Sequence, residues 1–518
     1  MASLATKRLR SPQNRRRLRK LLLHASGLVV MSLPLGLVAW ESARLGFLSH
    51  EHAYFLAKAL LVVDRSRVEL LGLIYPPLPF LLLLPAPTHT LALVWNVVLA
   101  ALLAWLLGLR LARLGFAPWL AALVVLAAMM TPGSLFVATQ ALSPILLLVL
   151  LFMAWRYVQL FTHQRWTWAG FVAGLLLGLG FFAHAYALVY GVVLALVGVF
   201  SVRKRAPGEL QASLLVLTFP MFMALGAWSY TNWLFTSDPF YFLRHPLSSP
   251  FVYARPPSSW TAPGWTQAFW RTWADVLSVP LYMGLLVLAA SVRPASLIVY
   301  LLPWVWIFVA RGGGLVYEPP FAQLTLTVAA LAAWPVRLPR RMQPFLVALA
   351  VLHLYQGYTT PQQDELRMWW QALVQHQTHP SWREEQAIGD ELRSFPRQSI
   401  LLDDRVGYRL VARTGTTEVF VLPSDPIFGL AMEMPERFVT YVLVPHGASV
   451  AHYGPWVALL RPPPNFVLLE AWTNWALYQR PPRAYVGVVA KDLLTRGLRL
   501  SKVSERRTFV ACGVRKFL

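Results

Sequence analysis

The sequence predicts an α-helical polytopic membrane protein, with about eleven transmembrane helices and a small C-terminal extracytosolic α/β domain. Three observations predict it. Of the 518 residues, 57% are hydrophobic and 13% charged, with a mean hydropathy of +0.51; a soluble globule of this size cannot hide so much apolar surface. The apolar runs are long, rich in Leu, Ala and Val, and show no period-2 alternation. That selects helices over a barrel, because a helix satisfies its own backbone hydrogen bonds inside a bilayer. Beyond about residue 360 the runs shorten and charges return, which marks a second domain.

The chain opens with a basic, cytosolic segment, 1–20, carrying Lys7, Arg8, Arg10, Arg15, Arg16, Arg17, Arg19 and Lys20. The apolar run behind it is too long for a signal-peptide core and lacks a small-x-small cleavage site, so a retained first helix is expected. Runs able to cross a bilayer lie near 21–40, 89–107, 117–131, 142–156, 168–183, 185–200, 210–230, 274–291, 294–310, 320–335 and 343–357. The Leu/Pro-rich piece 73–85 is short and proline-broken, and reads as a half-buried or re-entrant segment. No solenoid-type repeat is present.

Basic residues favour the cytosolic side of a membrane. With the N-terminus cytosolic, Arg110, Arg113, Arg156, Arg165, Arg203, Lys204, Arg205, Arg293, Arg337, Arg340 and Arg341 all fall in cytosolic connections. The outer connections near 131–143 and 183–185 hold no Lys or Arg. The larger outer loops span 41–88 and 231–272, and an odd number of crossings from 21 to 358 leaves residues 359–518 outside. The expected location is the plasma (inner) membrane. In the outer domain, helical stretches (362–377, 382–394) precede strands at Ser399–Leu402, Glu418–Leu422 and Phe438–Val444, then Trp456–Leu460 and Asn465–Glu470. Asp403 and Asp404 close the first strand, where a helix cap or solvated turn is favoured over a metal or sugar site.

The net charge is +23 and the pI about 10.6. In a membrane protein that charge serves topology and anionic lipid, so no nucleic-acid partner is expected. The single cysteine, Cys512, forbids an intrachain disulfide.

The chemistry-bearing segment follows the first apolar run: Ser49-His50-Glu51-His52-Ala53-Tyr54, then Tyr75-Pro76-Pro77-Leu78. It puts a carboxylate at the membrane surface, on the face away from the cytosol. Residues 51–63 read as an interfacial helix with Tyr54, Phe55, Ala57 and Leu61 against the membrane. A Glu at the start of such a helix also suits its dipole, which is the plain structural alternative.

Glu51-x-x-Tyr54 followed by Pro76-Pro77-Leu78 resembles the first outer loop of the GT-C glycosyltransferases, polytopic enzymes that take sugars from polyprenyl-phosphate carriers, such as protein O-mannosyltransferases and aminoarabinose transferases. The Gly-rich stretch 174–184 and Asn232-Trp233-Leu234-Phe235-Thr236-Ser237-Asp238-Pro239-Phe240 resemble two further family segments, and the likeness covers roughly residues 20–360. It implies a donor lipid carrying a sugar on polyprenyl phosphate, a glycan, lipid or protein acceptor, and contact with membrane lipids. The family often has Asp-Glu where this chain has His50-Glu51, so only Glu51 carries over as the acid. Its second outer loop often brings a carboxylate, whereas Thr139-Gln140-Ala141-Leu142-Ser143 has none. Its lysine before Pro-Pro-Leu is here Tyr75. A divalent metal ion is the one cofactor the resemblance suggests, and those departures weaken a two-loop metal site.

With a phosphate leaving group, the reaction needs a base for the acceptor hydroxyl and cations for the developing charge. Glu51 is the expected base. Arg65, Arg67, Arg244, His245 and Arg311 fall in outer segments and are the expected clamp on the lipid phosphate. His50, His52, Tyr54, Tyr75, Asp238 and Glu318 complete the substrate-binding set. The three glycines after Arg311 permit close approach of a ligand, although a flexible loop would use them equally. Trp260, Trp265, Trp270 and Trp273 read as an interfacial aromatic belt. Two other readings stand beside the enzyme: a non-catalytic GT-C-like accessory subunit, supported by the missing second carboxylate, and a transporter, disfavoured by the scarcity of mid-membrane ionisable residues.

Overall fold

Proline opens many of the helices, because its missing N–H falls where no intrahelical partner exists and its fixed φ suits the first turn. The computed structural model describes residues 12–67, 74–164, 166–200, 208–244, 264–292, 297–312, 319–333, 342–359, 364–446, 459 and 461–481. The bundle comprises α1 (Pro12–Arg44), α2 (His50–Arg65), α3 (Pro77–Leu83), α4 (His89–Arg113), α5 (Pro118–Met129), α6 (Pro132–Gln140), α7 (Leu142–Gln164) and α8 (Thr167–Ala183). It continues through α9 (Tyr186–Phe200), α10 (Glu209–Thr236), α11 (Tyr241–Arg244), α12 (Trp265–Leu277), α13 (Pro280–Val292), α14 (Leu297–Gly312), α15 (Pro319–Ala333) and α16 (Gln343–Thr359).

Ten of the apolar runs identified in the sequence each lie mainly on one of these helices, whereas the run 274–291, expected as one span, is broken between α12 and α13. Among the described residues, four helices are long and apolar enough to cross a bilayer: His24–Arg44, His89–Arg113, Leu142–Thr162 and Glu209–Thr236. Two bent pairs raise the number to six: α5 with α6, bent by 78°, and α12 with α13, bent by 91°. Large apolar side chains such as Leu33, Leu37, Phe219 and Met223 face outward. A water-soluble protein would not tolerate that much exposed hydrocarbon.

The C-terminal domain contains α17 (Asp364–Gln375), α18 (Pro380–Leu392), β1 (Ile400–Leu401), α19 (Asp404–Thr414), β2 (Phe420–Val421), α20 (Phe428–Glu433), α21 (Pro435–Phe438), β3 (Tyr441–Pro445), β4 (Val467–Ala471) and β5 (Trp475–Gln479). Its sheet has the order β2-β1-β3-β5-β4. β1 runs parallel to β2 and β3, while β5 is antiparallel to β3 and β4. The alternation of helices and strands was legible; α19 and β5 were not anticipated. Of Trp456–Leu460, only Leu459 lies among the described residues.

The expectation that residues 51–63 form a helix with one face against the membrane is corrected. His52 through Val62 are all buried. The reason is α19, which packs along α2 and covers its other side. Asp403 caps α19 by accepting from the Arg405 N–H and also receives the Arg405 guanidinium at 2.8 and 2.7 Å, so the cap reading of this acid holds. Asp404 instead meets Lys58 of α2, Nζ to Oδ2 at 2.6 Å, with both side chains buried. Two rows of contacts extend this seam. Asp64 accepts from Thr416 Oγ1 and from the Thr417 N–H and hydroxyl at 3.1, 2.6 and 3.0 Å. On the α1 side, Trp369 Nε1 donates to Ser42 Oγ at 2.9 Å and Phe47 packs edge-on against Trp382.

Removing one member of a buried ion pair leaves an uncompensated charge, which costs about 3–5 kcal/mol, whereas replacing both by apolar groups is often nearly neutral. Lys58→Met alone is therefore expected to lower the thermal midpoint of the detergent-solubilised protein sharply. The Lys58→Met/Asp404→Leu pair should recover most of that loss.

Candidate active site

Glu51 lies in the first turn of α2, whose N-cap is Ser49: its hydroxyl oxygen accepts from the His52 N–H at 3.2 Å. The same hydroxyl donates to the Gln140 carbonyl at 2.7 Å, fixing α2 against the α6–α7 corner. There the Ser143 N–H, an orphan donor of the first turn of α7, donates to Glu51 Oε1 at 2.7 Å. An anion at a helix N-terminus is favoured by both that donor and the helix dipole. The Ser143 hydroxyl then donates to the Ala183 carbonyl at 2.6 Å, at the end of α8. Tyr75 Oη donates to the Phe181 carbonyl two residues earlier, at 2.7 Å. Glu51 is thus held at one end of the bundle where three helix junctions meet, and its carboxylate is partly buried.

The neighbours of Glu51 on α2 divide by face. His50 lies toward the C-terminal domain: its N–H donates to Glu365 Oε1 at 2.9 Å and its Nδ1 is 2.7 Å from Tyr408 Oη. Behind Glu365, Arg409 makes a two-pronged contact with Glu385, both bonds 2.9 Å. His52 points into the bundle. His52 Nε2 lies 3.3 Å from the Asn96 amide, and the amide orientation that satisfies both of its atoms donates to that nitrogen while its oxygen accepts from the Gln140 and Ala141 N–H groups at 3.2 and 3.0 Å. An Nε2 that accepts belongs to a neutral imidazole, and burial lowers the His52 pKa to about 4. Tyr54 is buried between Phe55 and Tyr408, and the Lys58 ammonium approaches its ring face at 5.7 Å.

The other expected site residues lie elsewhere. Arg65 is about 21 Å along α2 from Glu51 by helical rise. Its guanidinium donates to the Thr417 and Phe420 carbonyls at 3.2 and 2.6 Å and pairs with Asp425 at 3.3 Å. Arg67 donates to the Ser424 carbonyl. Both therefore help to dock the C-terminal domain. Asp238 accepts from the Phe240 N–H at 2.9 Å, the turn-forming role its Asp-Pro sequence suggests. Arg311 is buried and pairs with Asp275 of α12. Arg244 ends α11 but its side chain, like His245 and Glu318, lies outside the described residues. Among the described residues no three His, Cys, Asp or Glu side chains gather as metal ligands.

Sequence reading missed Lys58, Asn96, Glu365, Tyr408 and Arg409. Lys58 did carry a signal: a lone ammonium in Ala57-Lys58-Ala59-Leu60-Leu61 must find a counter-charge if it is buried. The partner, 346 positions away, had none.

His52 ordinarily titrates near 6.5 when exposed, so its lowered folded value makes protonation oppose folding. Its contribution is complete above pH 6.5, is lost as pH falls toward 4, and amounts to on the order of 3 kcal/mol. The thermal midpoint should drop between pH 7 and pH 5, and His52→Gln should make that drop smaller by this one histidine's share, the pKa values of His50 and His89 being lowered by burial in the same way.

No protein-family model matches the sequence, and no curated protein matches it either. Solved structures do. The fold is similar to the crystal structure of ArnT from Cupriavidus metallidurans bound to undecaprenyl phosphate, with a TM-score of 0.55 and 12% identity. The match covers 89% of this chain and 99% of that one, so it takes in the bundle together with the C-terminal domain. The architecture of this chain is accordingly similar to the fold of ArnT, over the bundle and at least part of the C-terminal region.

Proposed function

We propose that this protein is a glycosyltransferase that moves a sugar from a polyprenyl-phosphate-linked donor to an acceptor hydroxyl on the extracytosolic face of the plasma membrane. The observation that carries the reading is the placement of Glu51. A carboxylate is fixed at the meeting point of three helix junctions, in a fold similar to that of a protein bound to undecaprenyl phosphate. About eleven crossings, counting the short and bent helices, put the N-terminus in the cytosol and Glu51 with the C-terminal domain outside.

In this reading Glu51 takes the proton of the acceptor hydroxyl. The acceptor oxygen forms a bond to the anomeric carbon as the bond from that carbon to the phosphate oxygen breaks. The electron pair leaves on the polyprenyl phosphate, and a single displacement inverts the anomeric configuration. The Ser143 N–H holds one carboxylate oxygen, which fixes the orientation of the base. His50, His52, Tyr54 and Tyr75 line this end of the bundle and shape the donor site, while Arg244, His245, Arg311 and Glu318 come from the other outer segments. Arg65 and Arg67 act indirectly by seating the C-terminal domain over α2. The described residues offer no metal-ligand set, and the reading uses none.

One observation favours the non-catalytic alternative. Glu51 already caps α7 and Arg65 is committed to the domain seam, as a purely structural pair would be. The two readings separate on Glu51→Gln, which keeps an oxygen to accept from Ser143 but is no base. Transfer of labelled sugar from polyprenyl phosphate in membranes should fall by about 10²–10⁴-fold, the usual worth of a general base, with expression and thermal midpoint unchanged. Undiminished transfer would remove Glu51 from the chemistry. Absence of transfer in the wild-type protein with every donor tried would favour the accessory subunit.

A further inference from the structure

The end of the bundle away from Glu51 holds a second arrangement that the proposed reaction does not use. Asn96 of α4 and Ser143 of α7 both lie at the level of Glu51. About 20 Å further along these helices come Arg110 and Arg156, with Arg113 one turn beyond Arg110. α4 packs against α7, and the arginines are near enough that Arg113 and Arg156 both act electrostatically on Arg110. Arg110 and Arg156 are partly buried between the helices. Arg156 donates to Gln159 Oε1 at 2.7 Å, and neither it nor Arg113 forms an ion pair with a described residue.

A narrow apolar cleft opens at the same level, lined by Leu151, Phe152 and Trp155 of α7, Leu302 and Trp306 of α14, and Ala329 of α15. Its two ends tie it to the arginines. Trp155 precedes Arg156 and donates through Nε1 to the Ala332 carbonyl at 3.1 Å. Val299, another lining residue, precedes Tyr300, which lies within reach of the Arg110 charge. Like charges crowded into a half-buried site repel unless an anion joins them, and guanidinium groups suit phosphate. A cleft lined by hydrocarbon takes hydrocarbon more readily than water. A phospholipid is the bilayer component that brings both groups on one molecule.

We infer that Arg110, Arg156 and the cleft between α7, α14 and α15 form a specific site for an anionic phospholipid of the leaflet opposite Glu51, with its phosphate on the arginines and an acyl chain in the cleft. The site is separate from the transfer chemistry and stands whether or not that proposal holds.

The test is native mass spectrometry of the full chain after incubation with vesicles of phosphatidylglycerol or of phosphatidylcholine. The wild type should retain one phosphatidylglycerol, at least about tenfold in preference to phosphatidylcholine. Arg110→Gln/Arg156→Gln should abolish the preference. Ala329→Phe, which fills the cleft and leaves the arginines in place, should reduce retention of phosphatidylglycerol by a similar factor. Equal retention of the two lipids by the wild type overturns the inference, and that comparison needs no variant to fold. Undiminished phosphatidylglycerol retention in either variant overturns it as well.

Discussion

The buried contact between the Lys58 ammonium and the Asp404 carboxylate is the interaction on which the rest of this architecture depends. Most of α2 is buried, and α19 of the C-terminal domain packs along it. Lys58 gives the helix one group that cannot be left in hydrocarbon, and Asp404 gives the domain one place to sit. Once they meet, Asp64, Arg65 and Arg67 align on the loops after α19, and the Gly46 carbonyl receives the Arg413 guanidinium. The consequence for chemistry is positional. The domain lies along the same helix that carries Glu51 at its other end, so the carboxylate sits at the edge of the seam.

In the proposed reaction a structural and a chemical task share the Glu51 side chain. Its bond to the Ser143 N–H fills a donor that α7 cannot satisfy internally. The same bond removes rotational freedom from the carboxylate, which a base held in line with its substrate requires. His52, one residue on, is held neutral through Asn96, so the electrostatics next to Glu51 stay constant across the neutral pH range.

Much of this was legible in the sequence, and for physical reasons. The helices of the bundle follow from the length and continuity of apolar runs, and the C-terminal domain from the return of charge near residue 360. The prominence of Glu51 followed from a carboxylate placed beside histidines and an aromatic residue at the start of a helix. What the sequence hid was long-range pairing. Arg65 and Arg67 looked like phosphate clamps because exposed cations near a membrane commonly are; their carbonyl partners in 417–424 leave no pattern in the sequence. Residues 51–63 read as an interfacial helix because Tyr54, Phe55, Ala57 and Leu61 can share a membrane face, and nothing in the sequence marks α19 as the element that covers the rest. β5, Trp475–Gln479, escaped notice, and its place between β3 and β4 is set by pairing rather than by its own sequence.

The central claim is that Glu51 stands where a lipid carrier's phosphate and an acceptor meet. The most direct measurement is an electron cryo-microscopy map of the full chain in lipid nanodiscs containing undecaprenyl phosphate. The account predicts phosphate density beside the first turn of α2, with the polyprenyl tail leaving sideways between helices into the bilayer. Density for the phosphate at the opposite end of the bundle, or a closed and lipid-free surface around Glu51 at saturating carrier, would contradict it.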